Sequence, residues 1–414
     1  MSSFHHFSLS SMALTLVLPL VLLFVSPAVS TSRNLIGHQN MKTGFQVTLK
    51  HVDSGGNFTK FELLQRAMKR GRKRMERLYA MALAASDASM EAPFMLEMPC
   101  KQCFNQPTPI FDPTKSSSFS KLSCSSDLCS ALPSSSCTDG SCEYLYTYGD
   151  YSSTQGFMAT ETFTFGKVSV PKVGFGCGLE NEGGGFDQGG GLMGLGRGPL
   201  SLISQLKEPK FSYCLTSIDS TKTSTLLVGS VASLNTSSQM DSIKTTPLTK
   251  NPSSPSFYYL SLEGITVGDT LLPINKSTFA LNEDGSGGMI IDSGTTITYL
   301  EQSAFDLVKE EFTKQVQLPV DKSDQTGLEL CFKVPSDAQS IEVPKLIFHF
   351  EDGADLDLPG ENYIISDSSG VACLAMGSSL GMSIFGNYQQ QNILVVHDLV
   401  KETISFVPEK CDQL

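Results

Sequence analysis

The sequence predicts an all-β protein of two lobes, and three observations carry that expectation. From about Cys100 onward the chain consists of short apolar runs broken by Gly, Ser, Pro and Asp, the pattern of many short strands with tight turns. Helical periodicity is scarce there; it is clearest over residues 302–317, with a shorter stretch over 199–207. The length, 414 residues, allows two lobes with a core each.

Taken in order, residues 1–30 contain no Asp, Glu, Lys or Arg, are apolar over 12–25, and end in Ala28-Val29-Ser30. This is a secretory signal pattern, too short for a stable membrane anchor. Residues 31–90 form a basic segment with helix-forming composition over 60–78. The first lobe is expected over 91–240 and the second over 241–414, with a junction in the Ser/Thr/Asn-rich stretch 216–256. Residues 142–166 read as a β-hairpin turning at Gly149-Asp150, 257–268 as one long strand, and 345–350 and 392–398 as further strands. The acidic run 351–357 lacks calcium-loop spacing and reads as a hairpin.

Charge is unevenly spread. Residues 31–80 hold 11 Lys+Arg against 3 acids, whereas residues 81–414 hold 19 against 39. A basic segment ahead of an acidic body suggests an intramolecular pair that acid would weaken. An acidic body argues against nucleic acid as a partner. Secretion permits disulfides, and 11 cysteines agree with it, although an odd count leaves one thiol over. Sequons at Asn57, Asn235 and Asn275 fit the same compartment. No metal site or cofactor motif is expected: Gly194-Leu195-Gly196-Arg197-Gly198 lacks the Gly-Lys-Ser/Thr of a phosphate loop. His349 and His397 stand alone in strand-like runs and read as structural.

One motif carries chemistry. In GGMIIDSGTTITYL, residues 287–300, apolar strand flanks Asp292-Ser293-Gly294-Thr295 on both sides, which would hold a carboxylate rigidly. Asp53-Ser54-Gly55 is the same tripeptide without those flanks and reads as a solvated turn. A weak internal repeat relates GLMGLG at 191–196 to SIFGN at 383–387. The counterpart of Asp292 would then fall near residue 100, where Cys100 stands.

The blocks IIDSGTTITYL, FGNYQQQNILVVHD and GLMGLGRGPLSLISQL, the cysteine-dense stretch 100–142, Tyr148-Gly149-Asp150 and VTLKHVDSGGNFTKFELLQRAMKRG together resemble the pepsin-like aspartic endopeptidases of the plant nepenthesin type, which implies that the basic segment 31–90 is a propeptide. The resemblance covers nearly the whole chain. It implies a bilobal fold, Asp292 as a catalytic residue, Ser293, Gly294 and Thr295 as its support, and Tyr148 as a flap residue over protein or peptide substrates, in a monomer. It also implies disulfides Cys103–Cys177, Cys124–Cys142, Cys129–Cys137, Cys214–Cys411 and Cys331–Cys373, with Cys100 unpaired. The location implied is extracellular, cell wall or vacuole.

One block of the family's pattern is absent: the strand and Asp-Thr-Gly-Ser that precede a Cys-x-x-Cys-x-x-Cys run. Here residues 81–98 pass straight into Pro99-Cys100-Lys101-Gln102-Cys103. The N-terminal lobe is therefore expected to be incomplete. Hydrolysis in this family uses a water held between two Asp residues that share a proton, one acting as base and the other as acid. A chain with Asp292 alone is expected to be inactive or strongly impaired. The readings are a shortened form of an active protease, or a pseudoprotease that binds proteins or peptides. A homodimer sharing two copies of Asp292 is disfavoured because the N-terminal lobe would occupy that face.

Overall fold

The structure, a computed structural model, describes residues 44–83, 95–102, 110–148, 152–183, 190–233, 242–323, 326–338 and 340–414. The signal pattern, the hairpin tip at Gly149-Asp150-Tyr151, Cys103 and Asn235 lie outside these, as does the side chain of Cys100.

The fold is mostly β, and strand alternation explains its packing. In Leu346–Phe350 and Ala354–Leu358 every second residue is buried and the residues between face outward. The turn between them is the acidic Glu351–Gly353, so the expected hairpin is present. Ser141–Thr147 and Ser153–Phe165 form the expected pair, and Val168–Glu182 extends it. That first-half sheet continues through Met95–Gln102 to Gly191–Leu192.

Among the described residues an eleven-stranded sheet joins the halves. Its central strands are Lys210–Cys214, Ile393–Asp398, Thr403–Pro408 and Lys244–Thr249, and at one edge lies Phe45–Leu49 against Ser224–Val228. The stretch 216–256 thus supplies two strands to the joining sheet. Two apolar clusters support the site: Phe385, Phe406, Phe350 and Phe348 form an aromatic stack in the main core. Phe61, Leu63 and Leu64 pack with Ile297 and Tyr388 in the second.

Several expectations are corrected. The long strand over 257–268 breaks at Ser261: Tyr259–Leu260 pairs with Met289–Ile291, whereas Leu262–Val267 pairs with Leu346–Phe350 in another sheet. A bulge between Leu262 and Gly264 marks the corner. The helix over 302–317 stops at Gln315, since Val316 is already extended. The short one is Leu202–Leu206, capped by the Ser201 hydroxyl and ended by Lys207 at φ 55°. The N-terminal helix runs over Lys60–Leu83 from a capping box, in which Thr59 and Glu62 each accept the other's backbone N–H.

Asp53 is in a turn but is not solvated. Its side chain is 3% exposed and lies 2.8 Å from Arg66 and 2.9 Å from Arg70, which one helical turn places side by side.

The disulfide pattern also differs. The bonds are Cys124–Cys137 and Cys129–Cys142, not Cys124–Cys142 and Cys129–Cys137. Cys137 and Cys142 are register partners across a hairpin, and each bonds a different cysteine of the 124–129 segment. Cys177 carries no disulfide, which removes the Cys103–Cys177 pair; it is fully buried in a central strand, and burial pushes its thiol pKa far up. Cys214–Cys411 and Cys331–Cys373 are formed.

Candidate active site

Met289–Ile291 is buried along its whole length and delivers Asp292 to the end of a central strand. It pairs in parallel with Ser383–Phe385, and the Asp292 N–H continues the ladder to the Phe385 carbonyl at 3.1 Å. The chain then turns tightly: the Thr295 N–H donates to the Asp292 carbonyl at 3.2 Å. Both carboxylate oxygens are fixed from within the turn. Oδ1 accepts the Gly294 N–H at 2.9 Å, and Oδ2 accepts the Thr295 hydroxyl at 2.7 Å. The carboxylate itself is half-buried and its support, Thr295, is fully buried.

A second loop, Gly386 to Gln391, crosses the first. The Asn387 N–H donates to the Thr295 carbonyl at 2.7 Å, and its side-chain amide donates to the Ser293 carbonyl at 2.9 Å. The Tyr388 N–H donates to the Thr296 carbonyl, and the Gly386 N–H to the Thr298 hydroxyl. Ser293 is locked through its carbonyl. Behind the loops lie Gln389, Gln390 and Gln391, all buried. Gln389 accepts the Thr298 N–H at 2.7 Å and donates to the Asn362 and Ala375 carbonyls. Gln390 donates to the Phe385 carbonyl and accepts the Tyr213 hydroxyl at 2.7 Å. Sequence reasoning missed Asn387, Thr298 and the three glutamines. Their signal was an uncharged amide run between two apolar strands.

Tyr148 is buried and lines a cleft with Ser293 and Gly294. Ala67, Arg70 and Gly71 of the N-terminal helix line the same cleft, so the basic segment lies beside the Asp292 loop. Burial, then the Asp292 charge, pushes the Tyr213 phenol pKa upward, which keeps it neutral. Asn57 and Asn275 are exposed.

Among the described residues the first half does not repeat this arrangement. Met95-Leu96 runs antiparallel to Gly191–Leu192 and parallel to Gly176-Cys177, whereas Met289–Ile291 runs parallel to Ser383–Phe385. Cys100 lies within the strand Met95–Gln102.

What this arrangement does chemically is to hold one carboxylate in a fixed orientation at the floor of a cleft. Comparison with known proteins gives the family. Residues 95–230 match the family described as "Xylanase inhibitor N-terminal", and 257–408 match "Xylanase inhibitor C-terminal". The chain is 49% identical over 430 residues to "Aspartic proteinase nepenthesin-1" of Nepenthes gracilis, covering 96% of this chain and 97% of that one. It is 46% identical to "Aspartic proteinase nepenthesin-2" of the same organism, covering 96% and 98%. In fold it is similar to the crystal structure of conglutin gamma, a basic 7S globulin from lupine seeds. The TM-score is 0.60 and identity 22%, over 77% of this chain and 86% of that one. A basic 7S globulin from soybean shares the fold at a TM-score of 0.58 and 23% identity, over 78% and 87%. On identity across nearly its whole length, the chain belongs to the nepenthesin-type family of pepsin-like aspartic proteinases.

Proposed function

We propose that this chain is a secreted aspartic endopeptidase relative whose hydrolysis is impaired because it carries one of the two catalytic carboxylates. The observation behind this is the contrast between halves: Asp292 sits in a fully braced loop, whereas the strand Met95–Gln102 contains no Asp-Thr-Gly and pairs in a different sense. The alignment with nepenthesin-1 runs over 430 residues although this chain has 414, so it includes positions this chain lacks.

In this reading Asp292 is the surviving catalytic residue, and Gly294 and Thr295 orient it. Ser293 shapes the loop, and Tyr148 closes over a protein or peptide substrate. Residues 1–30 direct secretion and 31–90 act as the propeptide of a zymogen, in a monomer without a stable membrane anchor. Activation of water needs a base and an acid together, and loss of one partner costs at least about 10²–10⁴ in rate. The test is acid-pH cleavage of a denatured protein by the 414-residue polypeptide, with and without pepstatin. The expected outcome is no pepstatin-sensitive cleavage; robust sensitive cleavage overturns the reading.

A second reading is a pseudoprotease that captures proteins or peptides without cutting them. It is supported by the inhibitor-named families that match both halves and by a cleft that retains Tyr148 and the Asp292 loop. Saturable peptide binding without cleavage favours it. Sequencing transcripts across the codons for Gly71 to Asp112 separates the two, since a longer product carrying Asp-Thr-Gly-Ser identifies an active form of the same gene.

A further inference from the structure

Residues 44–71 are anchored to the rest of the chain at two separate places. The strand Phe45–Leu49 pairs residue for residue with Ser224–Val228 and forms the outer edge of the joining sheet. The Gly44 N–H donates to the Ser230 hydroxyl at 2.8 Å, and a β-carbon at Gly44 would stand 2.3 Å from the Val228 carbonyl oxygen. Phe45 is buried in the main core and stacks on Phe165 at 4.5 Å and 9°. The helix from Lys60 docks elsewhere: Phe61, Leu63 and Leu64 are buried with Ile218, Ile297, Tyr388 and the Cys331–Cys373 pair. Asp53 lies between the two anchors and pairs with Arg66 and Arg70, which ties the turn after the strand to the helix.

Loss of this segment would uncover the body twice. Among the described residues no other strand covers the outer edge of Ser224–Val228, so five residues of sheet would lose their partner. The cluster under the helix would return apolar surface to water. Charge acts in the same direction, since residues 44–71 hold five Lys or Arg against two acids beside an acidic body.

We propose that the Ser224–Val228 edge and the apolar face at Ile297 and Tyr388 form one docking surface, which retains residues 44–71 as a non-covalent subunit when the chain is cut behind the helix. The occupant is the chain's own segment, set by strand register at one anchor and by three buried apolar side chains at the other. The proposal rests on the propeptide reading and deepens it: a cut separates the pieces in sequence and leaves them together in space. Leu49, Lys50, His51, Ala67, Arg70 and Gly71 line the cleft beside the Asp292 loop, so cutting alone leaves that cleft occupied.

The experiment inserts a site for a sequence-specific protease between residues 84 and 94 of the full chain, cuts to completion at pH 7, and applies gel filtration. No cysteine precedes Cys100, so only non-covalent contacts can hold the two pieces. The expected result is one peak of monomer size with both pieces at one to one, unchanged in 1 M salt, where charges are screened beyond about 3 Å. Separate elution of the short piece overturns the proposal, and so does its release by salt, which would leave charge alone as the attraction. Leu64→Ala should raise the concentration at which the pieces separate at least about thirtyfold, whereas Lys69→Ala, at an exposed position, should not. An unchanged threshold in Leu64→Ala overturns the docking surface. The unsubstituted cut protein decides retention even if Leu64→Ala fails to fold. The readout is retention and not hydrolysis, so separation of the pieces is distinct from the pepstatin-sensitive cleavage that overturns the impaired-protease reading.

Discussion

Gly386 lies against the backbone of Ile297: a β-carbon at position 386 would stand 2.3 Å from both the carbonyl carbon and the carbonyl oxygen of Ile297. This contact is where the two loops of the site cross, and neither backbone has a flexible side chain that could yield. Gly386→Ala must therefore push the Asn387 loop off the Asp292 turn. The expected loss is about 1–3 kcal/mol or more, as for overpacking elsewhere, read as a lower midpoint in urea denaturation.

Thr295 tests the orientation of the carboxylate. Its hydroxyl donates to Asp292 Oδ2 at 2.7 Å from a fully buried position. Thr295→Val keeps the volume but removes the donor, and should cost about 1.5–3 kcal/mol, the range for a bond to a charged group. Thr295→Ser should recover most of it. Equal stability of the Val and Ser variants in the same denaturation assay would remove the hydroxyl from the account.

Asp53 gives the N-terminal segment a pH response. Burial pushes its carboxyl pKa up, but hydrogen bonds and charge from Arg66 and Arg70 outweigh this and hold it below the ordinary 3.8. A depressed folded-state value means that the stabilisation is complete above 3.8 and is lost as pH falls through the lower folded value. Hydrogen exchange in the helix from Lys60 should accelerate only in that strongly acidic window. Asp53→Asn should show fast exchange at every pH, because two arginines are left facing a neutral amide.

His397 works in the opposite sense to a stabilising histidine. Its folded-state value, about 3, lies below the ordinary 6.5, so the unfolded chain binds its proton first. The protein should lose stability as pH falls from 6.5 towards 3. His397→Phe should flatten that slope, which urea midpoints at pH 7, 5 and 4 will report.

The sequence was most legible where alternation and local turn chemistry decide the outcome. The hairpin over 346–358 and the Asp292 turn are of that kind, because strand period, Gly and Asp speak for themselves. It was least legible where register between distant segments decides. The cysteine pairs of residues 124–142 depend on which residues face each other across one hairpin, and resemblance supplied the wrong choice. Ser261 breaks an apparently continuous strand because Leu260 and Leu262 are both buried, in different sheets. Gln389, Gln390 and Gln391 carry no apolar signal in the sequence, and they are interior because backbone groups of both loops need partners. Asp53 read as solvated because its arginines come from a helix whose docking no local pattern announces.

The strand Phe45–Leu49 has a consequence for biogenesis. It leaves the ribosome among the first described segments, yet its partner Ser224–Val228 is made only after the whole first half. Its neighbour Lys210–Cys214 waits longer still, for Ile393–Asp398, and Cys214 bonds Cys411 at a sequence separation of 197. The joining sheet is thus completed only once residues 393–408 are made, through contacts of high sequence separation that form slowly. Until then the chain presents unpaired strand edges, and closure of the Cys214–Cys411 bond, not translation, sets the pace at which the sheet becomes compact.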